Sequence, residues 1–260
     1  MEATGVTGER RFGGVARLYG DEAARRIAAG HVCVVGIGGV GSWAAEALAR
    51  SAVGAITLID LDHIAESNTN RQIHALEGEF GRAKVQAMAA RILAINPACR
   101  VRAIEDFISA ENVATLLPPC DAVLDAIDNV RAKAALLAHC QAAGIAVVTT
   151  GGAGGRRDPT RIAVADLSCT TQDALASKLR SRLRKDYGFS RDAKQSFGID
   201  CVFSSEPVAR PASPGLACDV DLRGLQGLNC AGYGSAVTVT ASFGLVAAAR
   251  VLEKLAASAG

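Results

Sequence analysis

The feature that most constrains this fold is a glycine turn between an apolar run and a helical segment. Residues 32–35 suit a strand buried on both faces, and Gly36, Gly38 and Gly41 follow with G-x-G-x-x-G spacing. In such a turn the first glycine permits the bend, the second lets the backbone approach a phosphate, and the third lets the next helix pack on the sheet. Residues 42–50 would form that helix, whose N-terminus attracts an anion. The pattern therefore predicts a β–α unit that binds a nucleotide.

Two acidic residues are predicted to share one crevice. A second apolar strand, residues 55–59, ends at Asp60, a position from which a carboxylate accepts hydrogen bonds from ribose hydroxyls. Residues 122–128 are predicted to form another strand with Asp128 at its end. Because ligands of open parallel sheets bind at the carboxyl ends of the strands, we expect Asp60 and Asp128 to lie together. Asp125, earlier in the strand, is expected to make structural hydrogen bonds.

Alternating strands and helices continue along the chain, without a linker between two cores. Helices are predicted over 21–29, 81–95, 130–143, 173–186 and 242–257, with a short one capped by Ser109, and further strands over 100–107, 145–149, 161–167 and 236–240. Residues 206–227 have the composition of a crossing loop. This order predicts an α/β fold with a Rossmann-like, mainly parallel sheet, flanking helices and a less regular C-terminal part.

Composition narrows the function classes. A formal net charge of +2 gives no overall basic character, so any contact with nucleic acid must be local. Eight cysteines without a C-x-x-C pair, and a polar N-terminus over 1–11, predict reduced thiols in the cytoplasm. Residues 231–249 lack charges, but their Gly, Ser, Thr and Ala content favours a buried or dimer-facing segment over a membrane span.

Two ligands compete for the predicted crevice, a nicotinamide dinucleotide and ATP. Nothing besides the glycine turn argues for hydride transfer. A triphosphate needs cations and a metal needs a hard oxygen ligand; Arg71 and Lys84 supply the former and Asp128 the latter. Lys84 opposes the dipole of its predicted helix, so it is either drawn there by a ligand or a solvated surface lysine. The G-x-x-x-x-G-K-[ST] pattern is absent, which argues against a P-loop phosphotransferase.

Several motifs in register resemble the E1-type adenylating superfamily, which includes ubiquitin-activating enzymes and their bacterial relatives in molybdopterin and thiamine synthesis. The motifs are residues 36–42, Asp60 with Asp62, residues 67–72, Lys84 and residues 126–129. The resemblance implies ATP and Mg²⁺ as cofactors, with Asp60 on the ribose, Asn68, Arg71 and Lys84 on the phosphates, and Asp128 as the metal ligand. The implied ATP-binding residues are Gly36, Gly38, Gly39, Gly41, Asp60, Asn68, Arg71, Gln72, Lys84, Asp128 and Asn129, with Arg71, Lys84 and Asp128 catalytic.

The superfamily also uses an arginine from the partner subunit near the N-terminus. Arg17 is the candidate for this role and for the ATP site, with Arg11 as the alternative, and both are expected to lie on a segment free to reach out. The resemblance therefore implies a homodimer. Bacterial activators of sulfur carriers have two C-x-x-C zinc pairs, and their absence here argues against structural zinc and against that substrate class.

Further stretches resemble one branch, the tRNA threonylcarbamoyladenosine dehydratase family. They are residues 11–14 with 17–20, 149–155, 200–204 and 230–234. The resemblance spans nearly the whole chain and implies an ATP-dependent cyclisation of the threonylcarbamoyl group on the adenosine next to the anticodon, through an acyl-adenylate. This chemistry needs no enzyme nucleophile, so Cys169, Cys201 and Cys230 are predicted to be buried or incidental thiols.

The second half is expected to bind the macromolecular substrate. Within one E1-like domain over 1–260, we assign ATP binding to 1–155 and tRNA binding and dimerisation to 156–260. The helix over 173–186 has a leucine stripe and a basic face, which we assign to the tRNA backbone. A monovalent cation, K⁺ or Na⁺, at the glycine run 151–155 and a cysteine desulfurase or sulfur-acceptor partner stay open. So does the alternative function, activation of a ubiquitin-like or sulfur-carrier C-terminus; a non-catalytic nucleotide-binding module is disfavoured by Arg71, Lys84 and Asp128 together.

Overall fold

One seven-stranded sheet organises the fold. The computed structural model describes residues 4–192, 194–209 and 233–257, with side chains from residue 10 onward. The strands are β1 His31–Val35, β2 Ala55–Ile59, β3 Arg100–Ile104, β4 Ala122–Asp125, β5 Ala146–Thr150, β6 Ile162–Asp166 and β7 Asp200–Ser204. The helices are α1 Thr4–Tyr19, α2 Asp21–Ala29, α3 Gly41–Arg50, α4 Lys84–Ile95, α5 Val113–Leu116, α6 Val130–Ala143, α7 Ala174–Asp186 and α8 Val237–Ala257.

The strand order is β3-β2-β1-β4-β5-β7-β6, and all neighbours are parallel except β6 with β7. β1 lies between β2 and β4, so the chain order changes direction there and the loops that follow these strands separate into a crevice. The α/β, mainly parallel fold predicted from the sequence is therefore confirmed. β6 and β7, from the second half of the chain, extend this same sheet.

The core lies on both faces of the sheet because successive strand residues point to opposite sides. Val32 and Val34 of β1 pack against α2, α3, α4 and α8, whereas Cys33 and Val35 pack against α6 and α7. Leucines at one-turn spacing, Leu175, Leu179 and Leu183, are the buried face of α7. Among the described residues no helix has the length and apolarity needed to cross a membrane.

Three elements near the crevice are shorter in the structure than the sequence predicts. Helix α4 begins at Lys84 rather than at residue 81, β3 ends at Ile104 rather than at 107, and β4 ends at Asp125, three residues before Asp128. The reason at β4 is local: Asp125 Oδ1 accepts a 3.1 Å hydrogen bond from the Ile127 N–H and turns the chain out of the sheet. Asp128 therefore lies in the loop before α6.

Three other predictions about elements are wrong. Residues 236–240 are not a strand, because Val237 and Thr238 are exposed while Val239 and Thr240 are buried, and the segment belongs to α8. Ser109 is not a helix cap, since α5 begins at Val113 after Asn112. Arg11 and Arg17 do not lie on a free segment: both are in α1, and Arg11 Nη1 donates to the Ile95 carbonyl at 2.6 Å. The predicted crossing loop lies largely outside the described residues.

Candidate active site

A cleft of about 700 Å³ opens beside the carboxyl ends of β1, β2, β4 and β5. The glycine turn forms one wall, and residues 106–111, 126–129, 131 and 132 form others, with Gly151, Gly152, Ala153 and Gly154 at the end of β5. Of the sequence-predicted residues, it brings together Gly36, Gly38, Gly39, Asp60, Arg71, Gln72, Lys84, Asp128 and Asn129. Their roles in binding ATP stay a prediction.

Each motif glycine occupies a position that its task requires. Gly36 has φ +87°, and a Cβ there would lie 2.8 Å from the Ala126 carbonyl oxygen. A Cβ on Gly41 would lie 1.8 Å from the Gly36 oxygen, because α3 starts directly against the turn. At Gly38 a Cβ would have no heavy atom within 4 Å, so this backbone faces open space in the cleft. A Cβ on Gly39 would lie 3.2 Å from the Cγ of Arg71, whose stem passes beside this glycine.

Asp60 braces the turn from β2. Its Oδ2 accepts a 2.5 Å hydrogen bond from the Ile37 N–H, and its Oδ1 accepts one of 2.8 Å from the Asp62 N–H. Burial raises the pKa of this carboxyl, while Lys84 and the two N–H donors act in the opposite direction. Asp60 thus connects the glycine turn to the segment that follows β2, where the sequence predicts that the ribose binds.

The two predicted phosphate cations reach the cleft from different elements. Lys84, in the first turn of α4, is buried, and its Nζ lies 2.7 Å from Asp62 Oδ2. The interpretation of Lys84 as a solvated surface lysine is therefore wrong. Arg71 Nη1 donates to the Ser67 carbonyl at 2.6 Å and to Asn70 Oδ1 at 2.9 Å, and partial burial lowers the pKa of its guanidinium.

Asp128 lies at the mouth of the cleft, in the loop between β4 and α6. The residue is accessible to solvent, yet the surrounding cleft walls raise the pKa of its carboxyl by desolvation, and the Asp62 charge adds to this. Lys133 and Lys84 act in the opposite direction. Next to it, Asn129 Oδ1 caps α6 by accepting from the N–H groups of Arg131 and Ala132 at 2.9 and 3.1 Å.

Three sequence-predicted residues do not line the cleft. Asn68 is buried in the turn after β2, where its Oδ1 accepts from the Ala65 N–H at 3.1 Å. Gly41 lies behind the turn. Arg17 is exposed in the last turn of α1. Its place in the site of a partner subunit stays a prediction.

The glycine run after β5 is held in place by Asp173. The Gly152 N–H donates to Asp173 Oδ2 at 2.9 Å, and a Cβ on Gly151 would meet the same oxygen at 2.2 Å. Asp173 also caps α7 and lies 3.2 Å from Arg156, which is likewise buried. The Gly155 N–H donates to the Gly234 carbonyl at 2.7 Å. Hydrogen bonds therefore fix much of the backbone of the glycine run. A monovalent cation at this run stays a prediction.

The basic face of α7 differs from the prediction. Arg180 donates to Thr170 and to the Leu167 carbonyl, and Arg184 donates to the Ser190 carbonyl at 3.0 Å and lies over the Phe197 ring. These two arginines hold the protein's own loops and do not face outward. Lys178 and Lys185 are exposed and are the cations best placed to contact phosphates.

The described cysteines are all free thiols. Cys201 is buried in β7, and burial raises its pKa to about 12, which disfavours the nucleophilic thiolate. Cys169 is exposed, and Cys230 lies outside the described residues.

Sequence reasoning missed the partner of Asp125. Lys133 is buried on α6 with its Nζ 2.8 Å from Asp125 Oδ2. One signal could have found it: Lys133 lies among alanines and leucines on a helix whose other residues in that stripe are apolar. It also missed residues 106–111, the cleft wall that follows β3.

A sheet with a glycine turn at its switch point, and an arginine, a lysine and an aspartate around that turn, is the arrangement of an α/β protein that binds a nucleotide. The ThiF family model matches residues 13–258. The tRNA threonylcarbamoyladenosine dehydratase of Escherichia coli K12 is 53% identical over 254 residues, which cover 96% of this chain and 95% of that protein. That of Haemophilus influenzae is 50% identical, with 95% and 94% covered.

Solved structures agree. The E. coli dehydratase TcdA in complex with ATP has a TM-score of 0.85 and 51% identity, with 95% of this chain and 94% of that chain covered. E. coli MccB in complex with ATP, at 17% identity and a TM-score of 0.61, shares the fold. The chain belongs to the ThiF family and, within it, to the tRNA threonylcarbamoyladenosine dehydratases.

Proposed function

We propose that this protein dehydrates N6-threonylcarbamoyladenosine in tRNA to its cyclic form at the expense of ATP. The observation that carries the proposal is the cleft itself: Arg71, Lys84 and Asp128 converge on the glycine turn in a chain about half identical, over nearly its whole length, to a relative crystallised with ATP. We assign ATP binding and catalysis to these residues together with the glycine turn, Asp60, Gln72 and Asn129.

The proposed chemistry makes the threonyl carboxylate reactive by adenylation. Its oxygen attacks the α-phosphate of ATP and pyrophosphate leaves; the carbamoyl group then attacks the acyl carbon, loses a proton and expels AMP, so that one water is lost overall. Arg71 and Lys84 stabilise the negative charge that accumulates on the phosphates. The triphosphate of ATP occupies the open space beside Gly38, next to the N-terminus of α3. The ion pair with Asp62 holds the Lys84 ammonium in position before the substrate binds.

The donor set fits Mg²⁺ carried in with ATP. No group of three or more His, Cys, Asp or Glu side chains in the described part of the chain could hold a metal alone, and Mg²⁺ is typically bound by one or two carboxylates plus substrate phosphates. Asp128 is the carboxylate that would hold it. When bound, the ion would neutralise phosphate charge and assist the departure of pyrophosphate.

Several further assignments belong to this proposal. The protein acts in the cytoplasm as a homodimer, and Arg17 of one subunit completes the site of the other. Residues 156–260 supply the tRNA and dimer contacts, with Lys178 and Lys185 on the tRNA backbone. A K⁺ or Na⁺ ion at the glycine run and a cysteine desulfurase or sulfur acceptor as partner are kept as proposals of the same kind.

The test uses the protein with ATP, Mg²⁺ and tRNA that carries threonylcarbamoyladenosine, or the same tRNA unmodified. We expect the modified nucleoside to lose the mass of one water, with equimolar AMP and pyrophosphate, and we expect Asp128→Ala to abolish this. Pyrophosphate exchange that appears only with a small carrier protein, without any change in the nucleoside, would instead establish the alternative function, activation of a carrier C-terminus.

A further inference from the structure

A buried ion pair lies beneath the loop that carries Asp128. Asp125, the last residue of β4, and Lys133, on α6, both have fully buried side chains, and Oδ2 and Nζ are 2.8 Å apart. Thr149 Oγ1 on β5 donates a 2.6 Å hydrogen bond to the same carboxylate oxygen. None of these three residues lines the cleft that the structure describes, so the pair cannot touch a ligand there directly.

Lys133 also holds the backbone that leads into Asp128. Its Nζ donates to the carbonyl oxygens of Ile127 at 3.0 Å and of Asp125 at 3.3 Å. Asp125 Oδ1 in turn accepts from the Ile127 N–H at 3.1 Å. The Ile127 carbonyl belongs to the planar peptide group that joins Ile127 to Asp128, so these bonds fix the plane from which Asp128 projects.

The backbone of Asp128 is anchored on its other side as well. Asn129 Oδ1 accepts from two N–H groups of the first turn of α6 and fixes the start of that helix. Asp128 is thus held between an ion pair and a helix cap, and in the described residues its carboxylate forms no salt bridge of its own. The arrangement fixes the main chain and leaves the carboxylate facing the cleft.

Stability alone gives a poor account of this pair. Burying two charges carries a desolvation cost, and apolar replacements of similar volume are often as stable or more stable. An ammonium in the first turns of a helix also opposes the helix dipole. What an apolar pair cannot supply is the set of directed hydrogen bonds to the Asp125 and Ile127 carbonyls.

We infer that Lys133, fixed by Asp125, is a positioning residue that sets the orientation of the Asp128 carboxylate toward the metal–nucleotide. The inference rests on the proposed function only in taking Asp128 as the Mg²⁺ ligand. Its primary test is nucleotide binding, which needs no tRNA, so it can fail or succeed independently of the dehydratase reaction.

The test variant is D125N/K133M, which removes both charges at nearly constant volume and leaves no unpaired buried ion. ATP affinity is measured by calorimetry with Mg²⁺ and with EDTA. We expect affinity in EDTA to stay within about twofold, and the gain in affinity on adding Mg²⁺ to fall about 10- to 100-fold, the usual effect of removing a group that orients a metal ligand. In turnover, kcat should fall by a similar factor with the KM for tRNA nearly unchanged.

Two further variants separate positioning from folding. Thr149→Val removes a hydrogen bond to Asp125 but keeps both bonds from Lys133 to the backbone, so it should lower the melting temperature and leave the Mg²⁺ effect unchanged. In D125N/K133Q a neutral amide can still donate to the Ile127 carbonyl, so part of the Mg²⁺ effect should return. If D125N/K133M is unfolded at the assay temperature while D125N/K133Q folds and keeps the full wild-type Mg²⁺ effect, the pair is structural only.

A double-mutant cycle provides the decisive outcome. If Lys133 acts through Asp128, then D125N/K133M should have no further effect on the Mg²⁺ dependence in an Asp128→Ala background. A folded D125N/K133M with the full Mg²⁺ effect, or an equal loss in both backgrounds, would overturn the inference.

Discussion

Lys84 is a buried ammonium whose counter-ion is itself in water. Its side chain is 6% exposed, whereas that of Asp62 is 71% exposed. Removal of the Lys84 ammonium therefore leaves the Asp62 carboxylate in water and not as a buried, unpaired charge. Lys84 also lowers the pKa of Asp60, against the dominant effect of burial. One lysine therefore serves both the predicted phosphate site and the acid that braces the glycine turn.

This environment predicts the effect of Lys84→Met. We expect ATP turnover to fall about 10²- to 10³-fold, as for the loss of one preorganised charge-stabilising group. The melting temperature should change little, because Asp62 can be hydrated. Arg82→Met is the control, since Arg82 is exposed two residues away and pairs with Glu79 at 2.9 Å. Equal losses of turnover in both variants would contradict a specific role for Lys84.

His74 makes the stability of the apo protein depend on pH. The ring is buried, neither of its nitrogens has a hydrogen-bond partner in the described residues, and burial, with Lys84 and Arg91, lowers its pKa from 6.5 to about 4. Between pH 6.5 and about pH 4, His74 binds a proton in the unfolded chain but not in the folded protein. The free energy of unfolding therefore decreases as the pH decreases. The loss attributable to His74 is about 2 kcal/mol between pH 7 and pH 5.

The measurement is urea unfolding of the wild type and of His74→Leu at pH 7 and pH 5. The variant should lose less stability on acidification by about 2 kcal/mol, and at pH 7 it should be no less stable, because no unpaired polar ring is buried. Replacement of the exposed His63 by Leu serves as the control. A His74→Leu profile parallel to that of the wild type would show that the ring does not titrate as described.

At the scale of elements, the glycine turn joins β1 to α3, and its glycines have separable tasks. Gly38→Ala should leave the melting temperature unchanged, because its Cβ has no neighbour within 4 Å, yet weaken ATP binding at least about tenfold by occupying the approach of a phosphate. Gly41→Ala should destabilise the protein by about 1–3 kcal/mol, because its Cβ would overlap the Gly36 oxygen and push α3 away. Calorimetric melting and ATP titration of both variants check this, and a destabilised Gly38→Ala would refute the separation.

The sequence was informative where the determinants of an element are local. The glycine spacing predicted the β1–α3 turn because two of its determinants lie within the turn itself: the positive φ of Gly36 and the close approach of Gly41 to the Gly36 oxygen. Residues 236–240 misled because Val-Thr-Val-Thr suits a strand, while packing of Val239 and Phe243 in the core, and of Gly244 against Val40, makes the segment helical. Lys133 went unassigned because its partners, Asp125 and the Ile127 carbonyl, come together only when α6 folds back on β4.

Across the whole molecule, a formal net charge of +2 conceals an uneven distribution of cations. Leu175, in the first turn of α7, lines the cleft, so the exposed Lys178 and Lys185 continue from the cleft along the outside of that helix. Arg100 and Arg102, exposed on β3, occupy the opposite edge of the sheet from β6. A polyanion whose modified base enters the cleft would therefore meet the α7 lysines and not the β3 arginines.

This geometry predicts opposite results for two charge-matched variants. K178E/K185E and R100E/R102E each change the formal net charge from +2 to −2. The first should weaken tRNA binding and reduce the slope of log K against log salt by about 2, one unit for each lost phosphate contact, while ATP affinity stays unchanged. The second should leave tRNA binding close to that of the wild type. Since both variants carry the same total charge, equal losses of affinity would mean that tRNA responds to net charge alone, and a loss confined to R100E/R102E would place the tRNA on the other edge of the sheet.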